Sequence, residues 1–243
     1  MIIENLYGLH PVRMALEGGR RKIRQLLVYD NFKSEELKKL MEYAKDKDVP
    51  VQLTTKYELN RIVPDSTHQN VVLQCEPINL PETENLLVKD KLVLGVEGVT
   101  DPHNLGSLIR TCAFFSVPIV MDRHCSVLSP VVSKSSAGAL ELFYAKTRMY
   151  RVTSFSSLKH DRTMIASVCS PEKSNFMEAL KSGDKFMLIM GNEGSGLKSN
   201  TLERCKLFAN IPGSFESLNV SVATGILLST LQNEQQNALK SVL

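Results

Sequence analysis

FMLIMGNEGSGL, residues 186–197, joins five apolar residues to a loop carrying Gly191, Gly194 and Gly196. A short, unbroken apolar run closed by turn residues reads as a strand buried on both faces, the kind found inside parallel sheets. The glycines remove side-chain bulk and suit a backbone that wraps closely around a ligand. The loop is not a dinucleotide fingerprint, because the GxGxxG order is missing, and no Gly-Lys-Ser/Thr follows to make it a phosphate loop. Glu193, set among the glycines, does not belong to a core. It reads either as a cap for a helix starting near Leu197 or as a carboxylate of a site.

Two more strand-loop-helix passages repeat the pattern. LVLGV at 92–96 leads into EGVTDPHNLGSLIRT. There Asp101 can cap a helix that has Pro102 at its first position, with Leu105, Leu108, Ile109 and Cys112 on one face. Asn104, Gly106 and Arg110 lie at the start of that helix, where free N–H groups favour an anion and an arginine adds a fork of donors. Taken alone, an exposed arginine in a helix such as Arg110 is usually ordinary surface. The strand at 207–211 runs into Pro212-Gly213, and Ser217 or Asn219 opens a long helix. Asn219 reads as that helix's cap or as a group that both donates and accepts at a site. Val220, Ala223, Ile226, Leu227 and Leu231 give the helix a broad apolar face, to be buried on the sheet, on a partner subunit, or on both.

Further strands at 119–121 and 163–168, and helices opening at 129–130 and spanning 170–180, complete an alternation that predicts a mostly parallel sheet covered by helices. Such sheets bind ligands beyond the carboxyl ends of their strands, which directs attention to the loops after Val96, Met190 and Ile211. Residues 1–78 read as a separate small α/β unit, with helices at 11–17, 34–47 and 54–62 and strands at 25–29, 49–53 and 70–75. The stretch 76–90, with Pro77 and Pro81, is the linker candidate. The expected division is 1–78, a linker at 79–90, and 91–243.

The chain has 243 residues, 43% hydrophobic and 23% charged, which fits one or two globular domains rather than a disordered or fibrous chain. No apolar run is long enough for a membrane-spanning helix. The opening MIIENLYGLHPVRMALEGG carries no apolar signal core, so a secretory reading is not expected. Cys75, Cys112, Cys125, Cys169 and Cys205 are unevenly spaced with no CxxC, which predicts reduced, mostly buried thiols in a reducing compartment. The histidines have no second ligand at metal spacing, so no metal site is assigned. The net charge of +3 decides nothing. Locally, Arg20, Arg21, Lys22 and Arg24 form a dense basic cluster, either a solvated turn or a set of RNA phosphate contacts.

The segments NLGSLIR at 104–110, GNEGSGL at 191–197 and SLNVSVA at 217–223, in that order, closely resemble the SpoU (TrmH-type) family of RNA ribose 2′-O-methyltransferases. SKSSAGALE at 133–141 resembles a further stretch of the family, and GLHPVRMAL at 8–16 resembles the opening of its N-terminal RNA-substrate-binding domain. One motif would be weak; the ordered triple is specific. The resemblance implies an α/β-knot domain with a deep trefoil knot and a mostly parallel sheet, preceded by a small α/β RNA-substrate-binding domain. It implies S-adenosylmethionine as cofactor, held by Gly191, Ile211 and Leu218, and places Asn104, Arg110, Glu193 and Asn219 at the family's active-site positions. It also implies a homodimer through the knot domain, with the last helix at the interface.

The chemistry this resemblance implies is methyl transfer from a sulfonium to a poorly nucleophilic hydroxyl. Arg110 would anchor the neighbouring phosphate, stabilise a developing alkoxide, or take the proton; the last is demanding, because arginine has a pKa above about 12. Two departures stand out: Ile211-Pro212 runs directly into Gly213-Ser214-Phe215, a short loop, and Asn70 follows His68-Gln69 where relatives often have glycine. Within the family, the two-domain layout resembles the ribosomal-RNA members, and PVVSKSSAGALE at 130–141, GNEGSGL and ESLNVSVATGILL at 216–228 resemble the mitochondrial members that methylate a guanosine ribose of large-subunit rRNA. That reading carries a mitochondrial matrix location, with the cytoplasm as alternative. Bacterial 23S rRNA and tRNA enzymes are the alternative substrate readings, and an RNA-binding ribosome-assembly factor without activity is the non-enzymatic one.

Overall fold

The computed structural model describes residues 2–169, 185–214 and 216–240. In chain order the elements of the first part are β1 (Glu4–Tyr7), α1 (Leu9–Gly18), β2 (Ile23–Tyr29), α2 (Glu35–Asp46), β3 (Val51–Thr54), α3 (Lys56–Ile62) and β4 (Val71–Cys75). There follow β5 (Leu92–Val96), α4 (Pro102–Phe115), β6 (Ile119–Asp122), α5 (Pro130–Ser135), α6 (Ala139–Ala145) and β7 (Met149–Val152). The remaining described elements are β8 (Thr163–Ser167), β9 (Phe186–Met190), α7 (Ser199–Leu202), β10 (Leu207–Ala209) and α8 (Val220–Lys240). The helix expected at 170–180 lies outside the described residues. The strands β1 and β7, four residues each, were not anticipated, because ENLY and MYRV mix polar and apolar residues without a clean alternation.

The chain packs as two compact units: Met1–Asn79 with Val127–Thr147, and Leu80–Ser126 with Arg148–Leu243. Division by chain position alone would put residues 127–147 in the second domain; by packing they belong with the first unit. The first unit holds a mixed four-stranded sheet in the order β1-β4-β2-β3. Alternation along β2 decides its two faces. Leu26 and Val28 join Val12, Leu16, Leu37 and Leu40 of α1 and α2 in one core, and Leu27 joins Leu59 of α3 on the other side. Helix starts are capped as the sequence dictates: Ser34 Oγ accepts from the Leu37 N–H at 3.4 Å and Thr55 Oγ1 from the Glu58 N–H at 3.2 Å.

The second unit is a six-stranded sheet in the order β10-β8-β9-β5-β6-β7, parallel throughout. Its central strands β5 and β9 are buried along their whole lengths, which is why both read as continuous apolar runs. The direction of strand progression reverses between these two strands, so the loops that follow them emerge side by side at the carboxyl edge. No helix among the described residues is long and apolar enough to cross a membrane.

The basic cluster expected to meet RNA is largely consumed inside the first unit. The Arg21 side chain is only 2% exposed; its Nε and Nη2 both donate to the Glu141 carboxylate at 2.9 Å, and its Nη1 donates to Glu4 and to the Glu76 carbonyl. Burial works against the guanidinium's charge, but the hydrogen bonds and charge of Glu141 outweigh it and hold the pKa above its ordinary value. Ser133 Oγ completes the shell with a 2.9 Å bond to Glu141. Arg20 lies 4.2 Å from the Tyr144 ring centre and donates to the Tyr144 carbonyl and to Thr147. Both arginines therefore tie residues 133–147 to the first unit, and Arg21 has no free face for a phosphate, contrary to the expectation from sequence. Lys22, beside Glu76 at 3.3 Å, and Arg24 remain at the surface. Removing one partner of a buried ion pair strands the other, so Arg21→Met is expected to lower stability by about 3–5 kcal/mol in urea unfolding. A loss under about 1 kcal/mol, the scale of a surface pair, would contradict this role.

Candidate active site

Three of the four active-site positions drawn from the resemblance form one hydrogen-bonded line at the carboxyl edge of the parallel sheet. Asn104, in the first turn of α4, donates through Nδ2 to Glu193 Oε1 in the loop after β9. Asn219 Nδ2 donates to Asn104 Oδ1 at 2.9 Å, and Asn219 Oδ1 accepts from the Ser221 N–H at 3.0 Å and from its hydroxyl at 2.7 Å. The direction is fixed at both ends, since a carboxylate only accepts and a backbone N–H only donates. Both amides must therefore point their NH2 groups toward Glu193. Asn219 is at once the cap of α8 and a member of the line, so its two readings from sequence coexist. Glu193 does not cap a helix: α7 begins only at Ser199.

Arg110, two turns into α4, is exposed and makes no hydrogen bond or ion pair with another described residue. It lines an open groove of about 700 Å³ with Thr111, Phe114 and Phe115 of α4 and Gly225, Ile226, Ser229 and Thr230 of α8. The structure thus joins Asn104, Glu193 and Asn219 and leaves the Arg110 guanidinium free to meet a ligand. Asp101 caps α4 as expected, with Oδ1 accepting the His103 N–H at 3.0 Å.

The glycine loop is closed on itself. The Asn192 and Gly196 backbones exchange bonds of 3.2 and 2.9 Å, and Asn192 Oδ1 accepts the Gly194 N–H at 2.9 Å. A Cβ on Gly191 would come within 2.4 Å of the Gly196 carbonyl carbon, so this close approach requires glycine. Gly191 directly follows β9 and Ile211 follows β10, so both belong to the same edge of the sheet; Leu218, 47% exposed, precedes the Asn219 cap. A side-chain-free turn on this edge, with apolar groups presented on the loop after β10, fits a flat heteroaromatic ligand carried on backbone groups.

Beneath the loop sit charged residues that the sequence reading missed. Asp122 ends β6 fully buried; its Oδ1 accepts the Gly98 and His124 N–H groups at 3.0 and 3.1 Å, and its Oδ2 accepts Lys198 Nζ at 2.8 Å. Glu97, 1% exposed, accepts the Lys198 N–H at 2.8 Å and the Thr201 hydroxyl at 2.7 Å. Burial alone would raise the Asp122 carboxyl; the bonds from Lys198, Gly98 and Cys125 outweigh it and leave it below the ordinary carboxylate value. Beside it, burial pushes the Cys125 thiol up to about 12. The available signal was a carboxylate placed directly after each of two apolar strands, at the edge where sites form.

Comparison with known proteins agrees with this geometry. Residues 91–229 match the model of the SpoU rRNA Methylase family, and residues 5–81 match the model described as RNA 2′-O ribose methyltransferase substrate binding. The chain belongs to the SpoU family. Its fold is the α/β fold of SpoU methyltransferases, a trefoil-knot family, preceded by the substrate-binding subdomain. It is 36% identical to the 23S rRNA (guanosine-2′-O-)-methyltransferase RlmB of Coxiella burnetii, over 96% of this chain and 97% of that one. It is 30% identical to rRNA methyltransferase 1, mitochondrial, of Schizosaccharomyces pombe, over 95% and 90%. A similar solved structure is the SpoU methyltransferase AviRb from Streptomyces viridochromogenes in complex with AdoMet, at 20% identity and a TM-score of 0.74, covering 95% of this chain and 89% of that one.

The two jobs of Asn219 are separable. Asn219→Ala removes cap and line together and is expected to cost about 1 kcal/mol in thermal or urea unfolding. Asn219→Asp keeps the acceptor for Ser221 but loses the donor to Asn104, and should unfold within about 0.5 kcal/mol of the parent, since aspartate caps as well as asparagine. An equal loss in both variants would contradict the separation.

Proposed function

We propose that this chain transfers the methyl group of S-adenosylmethionine to the ribose 2′-OH of a guanosine in large-subunit rRNA, with a bacterial 23S-type target. The observation that carries the reading is the hydrogen-bonded line Asn219–Asn104–Glu193 at the sheet edge that also carries the closed glycine turn, with Arg110 exposed further along the helix that holds Asn104. The Coxiella relative, more similar than the fission-yeast mitochondrial one, moves the substrate from the mitochondrial reading favoured by sequence to the bacterial alternative. Mitochondrial large-subunit rRNA, with a matrix location, stands as the second reading on the strength of that 30% relative.

Gly191, Ile211 and Leu218, on the loops after β9 and β10 at one edge of the sheet, would hold the cofactor chiefly through backbone groups. Bound S-adenosylmethionine supplies a methyl made electrophilic by the sulfonium. The chain's own task is to present an oxygen that is a poor nucleophile near neutral pH. Arg110, a fixed fork of donors, anchors the phosphate beside the target ribose and stabilises charge developing on the 2′ oxygen. Glu193 is an acceptor aimed by Asn104, and it orients the ribose hydroxyl with Asn219. Alignment supplies much of the acceleration. Lys22 and Arg24 remain as phosphate contacts of the first unit.

The exposed apolar side chains of the second unit support a homodimer. Phe114 is 83% exposed on α4, with Val222 at 50% and Ile226 at 42% on α8, apolar surface that a second copy of the chain would cover. Phe114→Glu combined with Ile226→Glu is expected to give a folded monomer in sedimentation velocity, where the parent runs as a dimer; a monomeric parent would contradict this interface.

The direct test is transfer of labelled methyl to unmodified 23S rRNA fragments, with tRNA in parallel. Incorporation into the rRNA only is expected. Arg110→Ala should reduce the rate by about 10²–10³, the usual cost of a lost oxyanion donor, while S-adenosylmethionine binding is retained. Transfer into tRNA alone would overturn the substrate, and undiminished transfer by Arg110→Ala would overturn the role of Arg110.

A further inference from the structure

The loop that carries Glu193 is anchored at two feet, and both run back to one carboxylate. At the first foot, Asn192 Nδ2 donates to the Gly98 carbonyl at 2.9 Å, and the Gly98 N–H in turn donates to Asp122 Oδ1 at 3.0 Å. At the second foot, Lys198 leaves the loop with its Nζ 2.8 Å from Asp122 Oδ2 and 4.0 Å from Glu97 Oε1, and its backbone N–H on Glu97 Oε2. Asp122 itself is held by the His124 N–H and the Cys125 thiol, so it has little freedom to follow the loop if the loop moves. Between the feet, residues 193–195 belong to no strand; Asn192 Oδ1 gathers the Gly194 and Ser195 N–H groups at 2.9 and 3.3 Å. The position of Glu193, and of the backbone turn at Gly191, is thus set from below.

The charge count at this junction is uneven. Two carboxylates, 0% and 1% exposed, face one ammonium whose side chain is 42% exposed. Among the described residues Lys198 is the only cation within ion-pair distance of either carboxylate, so its loss leaves both without one. Neither Lys198 nor Asp122 belongs to the hydrogen-bonded line, and both lie below the loop rather than on its open side.

We propose that Lys198, with Asp122 as its hub, is a positioning residue for the methyl-transfer site: it fixes the 191–197 turn that holds the cofactor and aims Glu193 at Asn104. The consequence for the cofactor rests on the function proposed above; the consequence for the loop does not. The test compares the parent with Lys198→Met, Lys198→Arg and the double variant Lys198→Met/Asp122→Asn, by two readouts. The first is amide hydrogen exchange of the cofactor-free protein. Lys198→Met should speed exchange at Gly194 and Gly196 at least tenfold while the β9 amides of Met187 and Ile189 stay as in the parent, and Lys198→Arg should restore the loop. The second is the dissociation constant for S-adenosylmethionine by calorimetry, expected to rise at least tenfold in Lys198→Met and to return to within threefold in Lys198→Arg.

The double variant, which removes both members of the pair and keeps the protein readable should the single variant not fold, should be as loose as Lys198→Met and no looser. Loop exchange unchanged within twofold, or acceleration spread equally over β9, would overturn the positioning role. A parent that does not bind S-adenosylmethionine would overturn the proposed function instead, with the exchange result still deciding the role of Lys198.

Discussion

The pairing of β5 with β9, in parallel and with Val96 opposite Met190, is the constraint on which the site depends. Two strands adjacent in space but separated by nearly ninety positions in the chain deliver their loops to one place. One brings α4, with Asn104 in its first turn and Arg110 two turns in, the other brings the glycine turn with Glu193. Both strands are buried on both faces, so their register is held by packing on either side of the sheet, with Leu94, Leu188 and Ile189 all fully enclosed. A slip of one residue would turn every one of these side chains to the opposite face and carry Glu193 away from Asn104.

Buried charge plays a different part in each unit. In the first, Arg21 and Glu141 close a bidentate pair that pins residues 133–147, far along the chain, to the sheet formed by residues 4–75. In the second, Asp122 and Glu97 hold a lysine at the foot of a loop. Ion pairs of this kind contribute little net stability against apolar replacements, but breaking them from one side is costly. They specify which segments meet. That is what a site assembled from distant stretches of sequence requires.

Much of this was legible in the residues. The apolar runs at 92–96 and 186–190 announce buried parallel strands because nothing polar interrupts them, and the strand-loop-helix passages after them place the three loops at one edge. Asn104, Glu193 and Asn219 stood out as polar groups among glycines and helix starts. What was hidden depends on partners distant in sequence. Nothing near Arg21 shows that Glu141 will enclose it, so four basic residues within five positions read as a surface cluster. Glu97, Asp122 and Lys198 each look ordinary alone; only the strand order brings them together. The short strands β1 and β7 went unseen because their residues carry no clean period, and they are strands only because a neighbouring strand supplies the hydrogen bonds.

The claim at the centre is that this edge of the sheet delivers a methyl group to a ribose oxygen. The most direct measurement is the identity of the product: purified chain incubated with S-adenosylmethionine and unmodified 23S rRNA, followed by complete nuclease digestion and mass spectrometry of the nucleosides. The account predicts a single new species, 2′-O-methylguanosine, mapping to one position. A methyl found on a base, or no methylated nucleoside from a protein shown to bind the cofactor, would contradict it.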